Sequence, residues 1–194
     1  MSDKNANVSD VATFISGKII DLIPPNKEHS KLYKKWFNDP EVRKYLRNPT
    51  PRTLEAIKKR RDRVEEGTKT HISFEVWHKN DKCPIGLGGF NHINWINRNS
   101  NIFLNIGDKN YWGKHIATEV VKLLLKYGFE ELNFHKIYSG VFTPNIPSWS
   151  VAEKLGFKFE GILKDEVYVD GRYYDAKKYG LLKREWQKIY KTTQ

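Results

Sequence analysis

The stretch from Ser100 to Leu132 narrows the folds open to this chain more than any other. Ser100-Asn-Ile-Phe-Leu-Asn-Ile106 reads as a strand, Gly107 to Asn110 as a turn, and Tyr111 to Leu132 carries the longest amphipathic pattern in the sequence. Ile116, Val120, Leu124 and Tyr127 recur on one face, Ala117, Val121 and Leu125 widen it, and Glu119, Lys122, Lys126 and Glu130 lie opposite. Asn133 is a left-handed helix cap, and Lys136 to Val141 reads as the next strand. The chain therefore contains a strand, helix, strand crossover, which requires a sheet with at least one parallel pair.

The entry to that helix has a second property. Gly113 leaves room for a close approach, and the amides of Gly113 to Ala117 stand at the positive end of the helix dipole. A phosphate can bind there without a dedicated basic side chain. The competing reading is a plain helix start whose amides meet water.

Elsewhere the chain alternates short elements. Lys18 to Ile23 reads as a strand stopped by Pro24-Pro25, and His29 to Phe37 as a helix. Asp39 caps a short helical turn begun by Pro40, and a helix runs from Thr53 to Glu65, closed by Gly67. Thr70 to Trp77 and Pro84 to Phe90 read as strands around an Asn80-Asp81 turn. The glycines of the second strand imply a bulge, a nearby ligand or crowding by neighbouring chains. Trp149 to Leu155 is a short helix ended by Gly156. Phe157 to Leu163 and Tyr168 to Leu182 are antiparallel strands joined through Asp165-Glu166 and bent at Asp170-Gly171, and Lys183 to Tyr190 is a loosely packed basic helix. The expected class is α/β, a mixed central sheet flanked by helices, with residues 1–16 as a flexible tail and residues 17–190 as one domain.

Composition limits the function classes. A length of 194 residues with 39% hydrophobic composition supports one substantial core. Thirty-four basic against 23 acidic residues give a formal charge of +11, which favours acidic partners such as coenzyme phosphates, nucleic acid or an anionic assembly without choosing among them. Cys83 is the single cysteine, so no internal disulfide forms, in keeping with a reducing compartment. The sequence shows neither a signal-peptide pattern nor the roughly 20 apolar residues of a membrane helix, so a soluble cytoplasmic protein is expected. The six histidines and Cys83 are dispersed, without metal-ligand spacing.

Six motifs stand in order, Asp39-Pro-Glu-Val42, Ile85-Gly86, Tyr111-Trp-Gly-Lys-His-Ile-Ala-Thr-Glu119, Asn145-Ile-Pro-Ser148, Glu153-Lys-Leu-Gly-Phe157 and Gly171-Arg-Tyr-Tyr-Asp175, within a resemblance that covers nearly the whole domain from Ile19 to Trp186. Together they resemble the GCN5-related N-acetyltransferase superfamily, and within it the branch of ribosomal-protein alanine and serine N-acetyltransferases. The resemblance implies that fold and an acetyl-coenzyme A site. Its turn, here Trp112, Gly113, Lys114, His115, Ile116 and Ala117, would offer amides to the pyrophosphate, with Lys114 adding screened attraction. Asn145 would hold the pantetheine or an adjacent backbone group, and the strand ends near Ile106 and Val141 would receive the thioester arm.

The chemistry needs an uncharged amine, a stabilised oxyanion and a proton for the departing thiolate. Ser148 matches the family's proton donor, with a helix cap as its other reading. His92 is a candidate base on chemistry alone, since imidazole ordinarily titrates close to neutral pH, and a surface loop histidine is the competitor. Glu75, Asn101, Tyr168 and Asp175 are placed on the acceptor side. Glu75 either enters the cleft or sits solvated on a strand face, Tyr168 is a rim residue, and Asp175 is structural or an anchor for a cationic group. Two positions depart from the family pattern: His115 stands where glycine is usual, and Asn101 where many relatives carry a glutamate base.

The implied function is direct acetyl transfer to a protein N-terminal α-amine, a ribosomal protein included. The alternatives are a small-molecule or polyamine N-acetyltransferase and an inactive coenzyme-binding protein. No metal is needed, nucleic acid is not the expected substrate, and a homodimer is compatible with a fold of this size.

Overall fold

Period-two alternation assigns the central strands two unlike faces, and the helices divide between them. The computed structural model describes residues 12–44, 46, 50–65 and 70–190, leaving aside the side chains of residues 60–65. The expectations for residues 1–11 and for Gly67 lie outside them.

Strands β1 (Ile15–Ser16), β2 (Ile20–Ile23), β3 (Ile72–His78), β4 (Cys83–Asn94), β5 (Asn99–Ile106), β6 (Lys136–Phe142), β7 (Lys158–Val169) and β8 (Arg172–Leu182) form one sheet in the order β1-β2-β3-β4-β5-β6-β8-β7. Only β5 and β6 run parallel among these neighbours. One sheet face presents Phe74, Val76, Phe90 and Ile102 to α4 (Ile116–Glu130), whose Val120, Leu124 and Leu125 are completely buried against it. Each such aliphatic side chain contributes roughly 1.5–3 kcal/mol. Helix α4 approaches closely at Gly128, where a Cβ would stand 2.8 Å from Ile137 Cδ1 and 2.9 Å from Phe90 Cζ. The other face carries Ser73, Glu75, Leu87, Asn91, Asn101, Phe103 and Asn105, as the β3–β4–β5 register requires. It is roofed by α1 (Ser30–Asn38), α2 (Pro40–Arg43) and α3 (Leu54–Glu65), whose Tyr33, Trp36, Val42 and Ile57 form a second cluster with Leu87. The α/β class and the flanked mixed sheet are as expected.

The feature that positions the site is a short parallel pairing. Strands β5 and β6 are bonded only from Asn99↔Lys136 to Asn101↔Tyr138. Strand β5 stays paired with β4 as far as Gly86↔Ile106, and β6 with β8 as far as Phe142↔Ala176. Each strand follows its own antiparallel neighbour, so the two half-sheets diverge beyond Asn101.

Several local expectations shift. Asp39 does cap α2, accepting from the amides of Glu41 and Val42 at 2.9 and 3.2 Å. Helix α4 begins at Ile116, because a single 3-10 turn at Lys109–Tyr111 and a left-handed residue at His115 precede it. Helix α5 (Ile146–Lys154) starts earlier than read, since Asn145 is its N-cap and Pro147 falls in the first turn, where a missing N–H costs nothing. The β7–β8 connection is Asp170-Gly171, both at positive φ as a type I′ hairpin requires, while Asp165-Glu166 lies in a bulge of β7. The glycines of β4 serve crowding: a Cβ on Gly89 would stand 2.1 Å from the Ile72 carbonyl oxygen. Helix α6 (Lys183–Tyr190) is not loosely attached, for Trp186 is buried and packs on Phe129 with ring centroids 5.4 Å apart. Ile15–Ser16 pair with Asp21 and Leu22, so the sheet begins inside the stretch read as tail. No helix of the described residues is long and apolar enough to cross a membrane.

Candidate active site

The divergence of β5 from β6 opens toward two differently built regions. The first is the turn into α4. Trp112 Nε1 donates to the carbonyl oxygen of Ile106 at 2.8 Å and ties the turn to the end of β5. Gly113 and His115 both take positive φ, 74° and 60°. Among the described residues no acceptor meets the amides of Gly113 to Ala117, and His115 makes no side-chain cap. This leaves several donors at a helix N-terminus, which fits the phosphates of a coenzyme. His115 is exposed, and its φ explains why glycine would suit the position: an L-residue there costs roughly 1–2 kcal/mol. Lys114 is exposed, its Nζ 5.2 Å from the Tyr111 ring centroid.

Asn145 lies across the opening at the end of β6. Its N–H donates to Phe142 O at 2.9 Å and its carbonyl oxygen accepts from Ser148 N at 3.1 Å, while its side chain makes no capping bond. The amide group is thus available to a pantetheine arm. Ser148 is exposed in the first turn of α5. The cap reading of Ser148 is corrected, because Asn145 holds that position.

The second region is a cavity of about 250 Å³ beneath α1 and α3, against β3, β4 and β5. Its walls include Phe37, Ile57, Leu87 and Phe103, and its polar lining includes Arg52, His71, Asn91 and Asn105. Asn105 Nδ2 is buried without a hydrogen-bond partner among the described residues. Asn38 clamps Arg52 by accepting from its N–H at 2.8 Å and donating to its carbonyl oxygen at 2.9 Å. Among the described residues no aspartate or glutamate lines the cavity.

Of the acceptor-side expectations, both readings of Glu75 are corrected. Glu75 is neither solvated nor in the cavity: it is fully buried, accepts from Asn26 N at 2.6 Å and from the Tyr33 hydroxyl, and lies 2.9 Å from His29 Nδ1. Burial pushes its carboxyl pKa up, opposed by the Asn26 amide and by His29. Asp175 accepts from Lys164 Nζ at 2.8 Å and from Asp165 N at 3.0 Å, clamping the β7 bulge, and these bonds hold its pKa low. Tyr168 is exposed on the β7–β8 hairpin, facing Tyr173. His92 is exposed at positive φ in the β4 bulge and does not line the cavity. Asn101 sits beside the cavity and donates to Asn91 Oδ1 at 2.7 Å. Arg52, His71 and Asn105 were missed; alternation back from Ser73 and Glu75 would have put His71 on the same face.

Against this geometry the comparisons are decisive for the family. The acetyltransferase (GNAT) domain profile matches residues 20–158. The chain belongs to the GNAT acetyltransferase family. It is an acetyl-coenzyme A-dependent acetyltransferase. An uncharacterized GNAT relative, N-acetyltransferase p20 of Bacillus licheniformis, is 36% identical over 166 residues, 82% of this chain and 90% of that one. A spermidine N(1)-acetyltransferase of Vibrio cholerae is 34% identical over 130 residues, 64% of this chain and 75% of that one. The crystal structure of spermidine N-acetyltransferase from Vibrio cholerae, in complex with CoA and spermine, superposes with a TM-score of 0.82 at 24% identity, covering 88% of this chain and 99% of that one.

These similarities correct the assignment to the ribosomal-protein branch and, with it, the ribosomal protein N-terminus as acceptor and partner. Two of the relatives just named are instead spermidine acetyltransferases. The physical reason for the misassignment lies in the motifs. Those around Tyr111 to Glu119 and Asn145 to Ser148 build the coenzyme side, where they carry no information about the amine.

Proposed function

We propose that this chain acetylates the primary amine of a small diffusible molecule, with polyamines of the spermidine type as the class to test first. The observation that carries this reading is the half-open cavity of about 250 Å³ beside the strand opening, lined by aliphatic and aromatic walls. A slender aliphatic amine suits such a space. With no carboxylate in the lining among the described residues, the remaining ammonium groups of a polyamine stay in water while an aliphatic segment lies along the walls. The apolar surround and the positive charge of Arg52 both favour the uncharged form of an entering amine, which is the form that attacks. The spermidine acetyltransferase relatives support the same class.

When bound, acetyl-coenzyme A supplies a thioester carbonyl at which the amine forms a C–N bond as the C–S bond breaks and sulfur leaves with the electron pair. The amides of Gly113 to Ala117 bind the phosphates, and the Asn145 side chain orients the arm between β5 and β6. Ser148 Oγ holds a proton at the mouth of α5, one helical turn from Asn145. The test is to incubate the protein with acetyl-coenzyme A and spermidine, spermine, simple alkylamines and peptides with free N-termini, and to measure products by mass. Acetylated spermidine or alkylamine supports the proposal. Products confined to peptides overturn it.

A further inference from the structure

The turn that carries the amides of Gly113 to Ala117 has little of its own to fix its shape. Gly113 and His115 are both left-handed, so no repeating backbone pattern runs through it, and its geometry is set by what holds its ends. One end is α4, anchored by the buried Ile116 and Val120. The other is Tyr111, the last residue of the single 3-10 turn Lys109–Tyr111.

Tyr111 is gripped by the connection between β3 and β4. Its hydroxyl donates to Asp81 Oδ2 at 2.5 Å, and His78 Nδ1 lies 2.9 Å from the same oxygen. The phenol ring packs on the His78 imidazole with centroids 5.0 Å apart, and Cys83 Sγ is 3.6 Å from the hydroxyl. His78 ends β3, Cys83 begins β4, and Asp81 lies in the turn between them. The bond to the Asp81 carboxylate, burial and the Cys83 thiol all push the phenol pKa up, so Tyr111 stays a donor at ordinary pH. The same ring has Lys114 Nζ 5.2 Å from its centroid, which links it to the run of amides itself.

Resting on the reading of this turn as the phosphate site, we propose that Tyr111 and Asp81 are positioning residues for the coenzyme, holding the amides of Gly113 to Ala117 in the geometry that receives its phosphates. Trp112 ties the turn to the end of the strand it continues from, through the Ile106 carbonyl oxygen, whereas Tyr111 ties it to a different hairpin. Two adjacent side chains bonded to two different places fix the tilt of the turn as well as its position. The amides are then ordered before the coenzyme arrives, and binding does not have to order them. The Asp81 side chain is half exposed, which keeps the effect of this one bond moderate.

The test measures dissociation constants calorimetrically for two probes, CoA and pantetheine, the second carrying the arm without the phosphates. Tyr111→Phe removes only the hydroxyl and leaves the ring against His78 and Lys114, and Asp81→Ala removes its acceptor. Each variant binds CoA about 10-fold more weakly, the scale of a hydrogen bond to a charged group, and pantetheine within about twofold of wild type. The double variant is no weaker than either single one, because the two residues act through one bond. Equal losses with both probes make the pair merely structural and overturn the proposal, as does unchanged CoA binding in both variants. Losses that add in the double variant also overturn it. Wild-type protein that binds pantetheine as tightly as CoA overturns the reading of the turn as a phosphate site, an outcome read without any variant.

Discussion

The turn into α4 and the cavity beneath α1 and α3 are made of different material. The turn is backbone: five amides, two positive-φ residues and one tryptophan tie, all within six consecutive residues. The cavity is side chains drawn from α1, α3, β3, β4 and β5, residues far apart in sequence. A backbone site tolerates many side chains and is broken by changes of conformation. A side-chain site is broken by single replacements, and its chemistry can change while the fold stays.

The largest expected effect lies behind the cavity. Glu75→Ala leaves the Asn26 amide, the Tyr33 hydroxyl and His29 without their shared acceptor, and should cost about 3 kcal/mol or more in urea unfolding. Because Tyr33 also lines the cavity, acceptor KM should rise while coenzyme affinity holds. Glu75→Gln sharpens the point through pH. The folded carboxyl has a raised pKa, so the folded state binds its proton more tightly than the unfolded chain does. That contribution is fully present below the unfolded value and is lost as pH rises through the folded one. The glutamine variant should flatten this part of the stability profile.

Next in size is Ser148→Ala. If Ser148 Oγ delivers the proton, kcat should fall about 100-fold with coenzyme affinity unchanged. An unchanged kcat at saturating substrates returns Ser148 to an ordinary place in the first turn of α5. Asn145→Ala should be milder, weakening coenzyme binding about fivefold, the worth of one hydrogen bond. Equal affinity in a folded variant would remove the side chain from the coenzyme site and leave the turn to act through backbone alone.

What could be read in the sequence divides along the same line. The turn, α4 and the flanking strands are contiguous, so hydrophobic period, Gly113 and Asn133 announced them before any long-range contact was known. Even there His115 hid the true start of α4, because a histidine does not advertise a left-handed backbone as glycine does. The cavity stayed illegible, since its membership depends on the β3–β4–β5 register and on where α1 and α3 lie. Glu75 looked like an acceptor-side carboxylate until Asn26, His29 and Tyr33 closed around it. Asp175, equally plausible as an anchor for a cation, already has Lys164 as its partner. The branch was misread for the same reason: motifs that recur along one stretch of chain describe the coenzyme, and the amine is chosen elsewhere.

The smallest effect tests whether the turn is a matter of backbone alone. His115 holds φ at 60° with no compensating side-chain cap. His115→Gly removes the left-handed penalty of roughly 1–2 kcal/mol, and the freer unfolded chain returns about 0.4–1 kcal/mol of it. The net gain of somewhat under 1 kcal/mol should raise Tm by about 2 °C in a domain of this size. Coenzyme binding provides the sharper readout, because the imidazole sits beside the open amides. Tighter binding in the variant means the ring obstructs the phosphates. Weaker binding with the expected rise in Tm means that this chain has added a side-chain contact to a site otherwise made of main chain, and the contrast between the two regions is then less complete than their composition suggests.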